Sequence, residues 1–120
     1  MFRKISTIAI IISTALTACG VFGSLTSNTS ITPQNSFVLG NNQHGKFSAK
    51  VTNVSKQPLQ ILLKPIDGEA TILTILQPNE TTSAKVPSNT AIIIQNNSND
   101  TVNVDLKVNG DTGLSMTYKK

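Results

Sequence analysis

The sequence predicts an all-β domain, a small antiparallel β-sandwich or partly open barrel of about seven to eight strands. Apolar and polar residues alternate with a period of two in several segments of residues 36–120, which is the pattern of half-buried strands. Turn-forming residues separate these segments roughly every 8–12 residues, and no segment has a helical apolar period. Strands at that spacing are typical of sandwiches and barrels.

The clearest alternation is in the segment 101–109, where Val102, Val104, Leu106 and Val108 share one face. Three other segments alternate in the same way: 46–52, 59–64 and 114–119. Further strands are expected at 36–40, 70–77, 81–86 and 90–96. Between them lie turn sequences such as Asp67-Gly68 and Asn109-Gly110, which tolerate positive φ and favour hairpins.

Two segments, Thr71–Leu76 and Ala91–Ile94, have apolar side chains on both faces. Such runs are typical of central strands or of strands whose second face is covered by a loop. The alternative is an exposed apolar patch that contacts a partner, because monomers rarely leave large apolar patches bare. In that alternative, Leu62 joins the patch if its strand is adjacent, and Ile92 or Ile94 is part of the interaction face.

The N-terminal residues 1–18 have the layout of a secretory signal peptide. Arg3 and Lys4 form a positive start, and the following Ile5–Leu16 is uncharged and rich in isoleucine. Small residues come next, and then the only cysteine of the chain, Cys19. The apolar stretch is short for a membrane span, which needs roughly 20 residues.

Leu16-Thr17-Ala18-Cys19 resembles the lipobox of bacterial lipoproteins, and the resemblance covers about 20 of the 120 residues. It implies cleavage between Ala18 and Cys19 and attachment of a diacylglycerol to the Cys19 thiol. Several acyl chains hold a protein on a bilayer stably, whereas one binds only marginally. A plain signal peptide and an uncleaved anchor helix are the alternatives. Gly20 stands where an Asp commonly retains such lipoproteins in the inner membrane, so we expect the outer membrane, facing the periplasm.

Residues 19–35 are expected to form the lipid anchor and a flexible linker, with the β-domain at 36–120. The segment 24–35 is rich in Ser, Thr and Asn, has no charge, contains Pro33 and lacks periodicity. Extended, it would reach about 40 Å at roughly 3.3 Å per residue.

The sequence indicates no catalytic residue, metal site or cofactor, and we expect no enzyme. A single Cys excludes an intramolecular disulfide framework and a multi-Cys zinc site. A single His argues against a metal cluster built from histidines. His44, in the polar loop 41–45, is interpreted as a solvated residue. Asp67 and Glu69 flank a glycine and are interpreted as a solvated hairpin tip, because a calcium loop needs more oxygen ligands.

Composition also argues against nucleic acid and sugar as ligands. From Cys19 onward there are eight lysines and six acids, a net charge of +2, and the lysines are scattered. There is no Trp, and Phe47 and Tyr118 fit inward positions, which leaves Phe37 as the only candidate for an exposed aromatic platform. Five N-x-S/T triplets, including those at Asn53 and Asn96, are interpreted as turn and linker polarity.

Two classes of function are consistent with these features. The first is a lipid-anchored, non-enzymatic accessory or protein-interaction module, whose partners are the membrane, through Cys19, and an envelope protein. The alternative is a small-ligand-binding or carrier lipoprotein with a cavity between its sheets.

Overall fold

The computed structural model describes residues 22–119, and within them all regular structure is β. The strands are β1 (Phe22–Ile31), β2 (Ser36–Leu39), β3 (Phe47–Asn53), β4 (Leu59–Pro65), β5 (Thr71–Leu76), β6 (Thr81–Val86), β7 (Thr90–Gln95), β8 (Val102–Asp111) and β9 (Met116–Lys119). They form two antiparallel sheets, which confirms the predicted all-β sandwich. Each predicted strand has its counterpart, and β1 is an additional one.

The chain winds between the two sheets at almost every connection. The four-stranded sheet has the order β1-β8-β3-β6, and the five-stranded sheet has the order β5-β4-β7-β2-β9. Only β4 and β5 are consecutive strands of one sheet, so every other connection crosses between the sheets. This winding is that of a jelly roll, to which β9 adds an edge strand.

The core lies between the inner faces of the two sheets. Along β8, apolar side chains that face the core alternate with polar side chains that face solvent. Val102, Val104, Leu106 and Val108 are buried, and the residues between them are exposed. Side chains of the opposite sheet, such as Ile92 and Ile94, complete one continuous cluster of buried apolar residues. Burial of this apolar area from water is the main stabilising contribution to the fold.

The prediction of a flexible linker across residues 19–35 is wrong for Phe22–Ile31. This segment is β1, and it pairs with β8 in unbroken antiparallel register, from Phe22 opposite Asp111 to Ile31 opposite Val102. Ile31 is fully buried. The folded domain therefore includes residues from 22 onward, instead of beginning at 36.

The polar composition of β1 has a structural reason. Its outward side chains form hydrogen bonds across to β8: Asn28 donates to the Asp105 carboxylate at 2.6 Å, and Ser30 donates to the Asn103 side-chain oxygen at 2.6 Å. Ser, Thr and Asn therefore satisfy the solvent-facing side of this strand. Two of its inward positions, Ser27 and Thr29, are also polar, and their hydroxyls form a hydrogen bond with each other at 3.0 Å. That composition concealed the period-two pattern.

The turns that follow β3 and β7 share one buried asparagine motif. Asn53 and Asn96 are both fully buried. Each side-chain amide donates to the carbonyl oxygen four residues later, at 2.7 Å in both turns. Each side-chain oxygen accepts hydrogen bonds from the backbone N–H and the hydroxyl of the serine two residues later, Ser55 or Ser98. The two N-x-S triplets thus build turns, as interpreted, but their asparagines lie in the core.

These asparagines also connect distant parts of the chain. Asn53 donates to the carbonyl oxygen of Leu76, at the end of β5, at 3.0 Å. Asn96 donates to the carbonyl oxygens of Ile31 and Thr32, at the end of β1, at 3.0 and 3.1 Å. Buried backbone carbonyls need such donors, because an unpaired one is costly.

Candidate functional site

An apolar row crosses the outer face of the five-stranded sheet. Ile72 of β5 lies opposite Leu62 of β4, Leu62 lies opposite Ile93 of β7, and Ile93 lies opposite Val38 of β2. Directly opposed residues project to the same face of a sheet. Ile72 is 60% exposed, Leu62 and Ile93 are half-buried, and Val38 is buried. A groove of about 250 Å³ lies over the last three.

A β-bulge increases the apolar content of this face. Gln60 lies opposite Ile75 and Leu62 lies opposite Ile72, so Leu73 is an extra residue on β5. In a regular strand Ile72 and Ile75 would point to opposite faces. Because of the bulge both point outward, and Ile75 is 53% exposed. We define the apolar face as Ile72, Ile75, Leu62, Ile93 and Val38.

Beside the apolar face, β5 is an edge strand of the described part of the chain, residues 22–119. Within that range it pairs only with β4. Natural proteins protect such edges with Lys, Pro, other charges, bulges or a covering segment. The opposite edge strand β9 carries Lys119, and the edge strand β6 carries Lys85. The edge strand β1 also lacks charge, but its outward side chains are polar. The β5 segment Thr71–Leu76 has no charge and no proline, and its bulge is its only such protection.

Exposed acidic residues frame β5 at both ends. Asp67 and Glu69 lie in the hairpin before it, where the sequence predicted a solvated tip, and both are exposed. Glu80 lies in the turn after it and accepts a hydrogen bond from the Gln77 N–H at 2.8 Å. The strand therefore has an uncharged centre and negative ends.

Of the two segments that are apolar on both faces, one is a buried central strand and the other forms an exposed apolar patch. Ile92 and Ile94 of the central strand β7 are fully buried in the core, so neither belongs to an interaction face. Ile72 and Ile75 of β5 are exposed, and Leu62 joins them as expected. The distinction comes from position in the sheet, which the local sequence does not contain.

The interpretation of His44 as a solvated loop residue is wrong. His44 is 9% exposed, and its ring packs edge-on against Phe47 with 5.2 Å between centroids. Its Nδ1 lies 2.6 Å from the Gly45 carbonyl oxygen, and its Nε2 lies 2.9 Å from the Thr90 carbonyl oxygen. A neutral imidazole has one N–H, so the tautomer decides which of the two carbonyl oxygens accepts a hydrogen bond from the ring. Both ring nitrogens face backbone and neither is directed at solvent.

Asp111, at the end of β8, holds the same loop. Its carboxylate accepts hydrogen bonds from the N–H of Gly45 at 2.6 Å and of Gly113 at 2.8 Å. These two bonds lower the pKa of Asp111 below its ordinary value, against the opposing effect of burial, and the nearby His44 ring contributes a smaller lowering. The arrangement is a structural clamp between two loops.

The aromatic residues lie differently from the expectation. Phe37 is buried, so it is not a free platform, and Tyr118 is 54% exposed although it lies opposite Phe37. The two rings meet edge to face with 5.5 Å between centroids. Tyr118 is exposed because β9 is an edge strand, so its side chains lack a neighbour on one side.

Residues 22–119 contain neither a metal-binding cluster of side chains nor a membrane-spanning helix. No three His, Cys, Asp or Glu side chains of this range are grouped as they would be to hold a metal ion. The same range contains no helix of the length and hydrophobicity that a membrane crossing requires. The predicted signal peptide, the cleavage site at Ala18 and the lipidation site at Cys19 lie outside the described residues.

No protein-family model and no curated protein matches this chain. Among solved structures, it is similar to a mitogen derived from Yersinia pseudotuberculosis (YPM), with a TM-score of 0.46 and 15% sequence identity. The similarity covers 74% of this chain and 86% of that chain. At this level it supports no statement about function.

Proposed function

We propose that this chain is a lipid-anchored, non-enzymatic protein-interaction module of a bacterial cell envelope, on the outer membrane and facing the periplasm. The observation that carries the interaction role is the uncharged, unpaired β5 edge beside the apolar face. The lipobox resemblance of residues 16–19 supports the anchor.

The mode of interaction is strand addition to β5. An extended segment of a partner pairs with the free backbone of Thr71–Leu76, and its alternate side chains extend the apolar row beyond Ile72 and Ile75. In such complexes, main-chain hydrogen bonds supply affinity and side-chain positions supply specificity.

The acidic ends of β5 indicate the chemistry of the partner. Asp67 and Glu69 at one end and Glu80 at the other favour a segment with an apolar centre and Lys or Arg at both ends. A second copy of this chain fits less well. Antiparallel pairing of two β5 strands about Leu73 and Thr74 brings Asp67 of one copy towards Glu80 of the other, and like charges at short distance disfavour this association.

The start of β1 would lie close to the bilayer if Cys19 carries the lipid. β1 begins at Phe22, so only two residues separate it from Cys19. Extended, that connection would span about 10 Å, in place of the 40 Å expected for a long linker.

The anchor is tested by metabolic labelling with a fatty-acid probe. Wild-type protein should carry the label, and Cys19→Ser should carry none and should retain its signal peptide. Label on Cys19→Ser, or its absence from the wild type, contradicts lipidation without bearing on strand addition.

Strand addition is tested with the purified full chain and two synthetic peptides. Both have a centre of alternating Val and Thr, one flanked by lysines and the other by glutamates. NMR shifts of β5 amides should appear with the lysine-flanked peptide and weaken in Ile72→Lys. The matched control is Ser83→Lys, an exposed position on the edge strand β6 of the other sheet. Equal binding by both peptides contradicts the charge argument, and shifts confined to other strands contradict the site.

A further inference from the structure

A second groove, of about 420 Å³, lies on the outer face of the four-stranded sheet, on the opposite side of the sandwich from the apolar face. It crosses β1, β8 and β3. Its outward lining is polar and consists of Thr26, Asn28, Lys50, Thr52, Asp105 and Lys107. Its volume is within the range of small-molecule sites.

The centre of this groove contains two positive charges without a direct partner. Lys50 lies directly opposite Lys107 in the pairing of β3 with β8. Like charges directly opposite each other destabilise a sheet. Within residues 22–119, neither ammonium group has a hydrogen bond or ion pair. The groove also contains one carboxylate, Asp105, which accepts a hydrogen bond from the Asn28 amide at 2.6 Å and keeps its negative charge, so the lining has a net charge of +1.

We propose that this groove binds a phosphate group between Lys50 and Lys107. A phosphate dianion matches two ammonium charges, and lysine is a common point-charge ligand for phosphate. The Thr26 position, opposite Lys107, places a hydroxyl beside the anion. A bound phosphate offsets the repulsion between the two ammonium groups. Without it, when only water fills the groove, that repulsion remains.

The polar groups further along the groove suit a phosphate ester. Asn28 and Asp105 lie opposite each other on β1 and β8, and Thr52 lies opposite Asp105 on β3. Their oxygens accept hydrogen bonds from hydroxyl groups of a sugar or a glycerol attached to the phosphate. Free phosphate, a sugar phosphate and the monoester headgroup of phosphatidic acid all present the same anion to the two lysines.

The test is an NMR titration of the purified full chain with inorganic phosphate, glycerol 3-phosphate and glucose 6-phosphate. Amide shifts should centre on Lys50 and Lys107. Replacing either lysine by Gln should weaken binding about tenfold, as loss of one charged hydrogen bond does. Lys85→Gln is the matched control, because it removes the same charge from the same sheet outside the groove and should leave affinity within about twofold.

The relative affinities of the three compounds identify the ligand class. Tighter binding of glycerol 3-phosphate identifies a headgroup ligand, tighter binding of glucose 6-phosphate identifies a phosphorylated sugar, and equal binding identifies the phosphate alone. No shifts with any of the three compounds, or equal weakening by Lys85→Gln, overturns the site. Melting curves of the variants distinguish loss of binding from loss of folding.

Discussion

Replacing Asn96 by alanine is expected to lower the free energy of unfolding by about 3–5 kcal/mol. The Asn96 amide donates to the carbonyl oxygens of Ile31, Thr32 and Asp100 at 3.0, 3.1 and 2.7 Å. Its side-chain oxygen accepts hydrogen bonds from the Ser98 N–H and hydroxyl at 2.9 and 2.6 Å. Alanine removes all of these contacts and supplies no substitute.

The magnitude depends on which groups water can reach after the change. Asn96 and Ile31 are fully buried, so the Ile31 carbonyl loses its amide donor in the interior, at a cost of about 1–3 kcal/mol. Thr32 and Asp100 are exposed and Ser98 is half-buried, so their groups rehydrate, and each of these four lost bonds costs about 0.5 kcal/mol. For a domain of about 100 residues, the combined loss lowers Tm by about 15–25 °C.

The assay is urea denaturation with thermal melting, and hydrogen exchange localises the effect. Because two of the lost bonds hold the end of β1, its amides should exchange faster than those of β6. The control is Asn97→Ala, at the exposed neighbouring position, which should change stability by at most about 0.5 kcal/mol. A difference between the variants below about 1 kcal/mol would refute the reasoning, because water would then replace the amide at little cost.

Three other substitutions test the core, the clamp and the end of β8. Val104→Asp should unfold the domain in a circular dichroism melt, because an unpaired charge at a fully buried position costs several kcal/mol. The exposed Asp105→Ala removes only the hydrogen bond from Asn28 and should cost no more than about 1.5 kcal/mol. Because the folded pKa of Asp111 is lowered, its contribution to stability is present above the unfolded pKa of about 3.9 and is lost as pH falls through the folded value. Urea midpoints between about pH 5 and pH 2 should therefore fall less steeply in Asp111→Asn than in wild type. Gly110 lies in β8, opposite Phe47, and not in the hairpin turn that the sequence predicted for Asn109-Gly110. Gly110→Ala should cost about 1–3 kcal/mol in urea denaturation, since φ is +111° and a Cβ would lie 2.9 Å from the Lys46 carbonyl oxygen. An unchanged midpoint would show that the strand backbone relaxes at this position.

Local patterns predicted eight of the nine strands because alternation depends only on neighbouring residues. Val102, Val104 and Leu106 show it clearly, and they lie in the core as expected. β1 was missed because two of its inward residues, Ser27 and Thr29, are as polar as its outward ones, and its strand partner β8 lies more than 70 residues away. The inward positions of Asn53 and Asn96, in step with the apolar residues before them, are a signal by which their burial was predictable.

The candidate site depended on information that is not local. The sequence alone identified Thr71–Leu76 as apolar on both faces, but an edge strand and a central strand have the same local pattern. Only the strand order leaves β5 with one neighbour, and only the register shift opposite Leu62 turns both Ile72 and Ile75 outward. The Lys50–Lys107 pair arises in the same way, from two residues far apart in the chain that the register of β3 and β8 places side by side. Alternation is written into consecutive residues, whereas edges, bulges and opposed charges exist only once distant strands have paired.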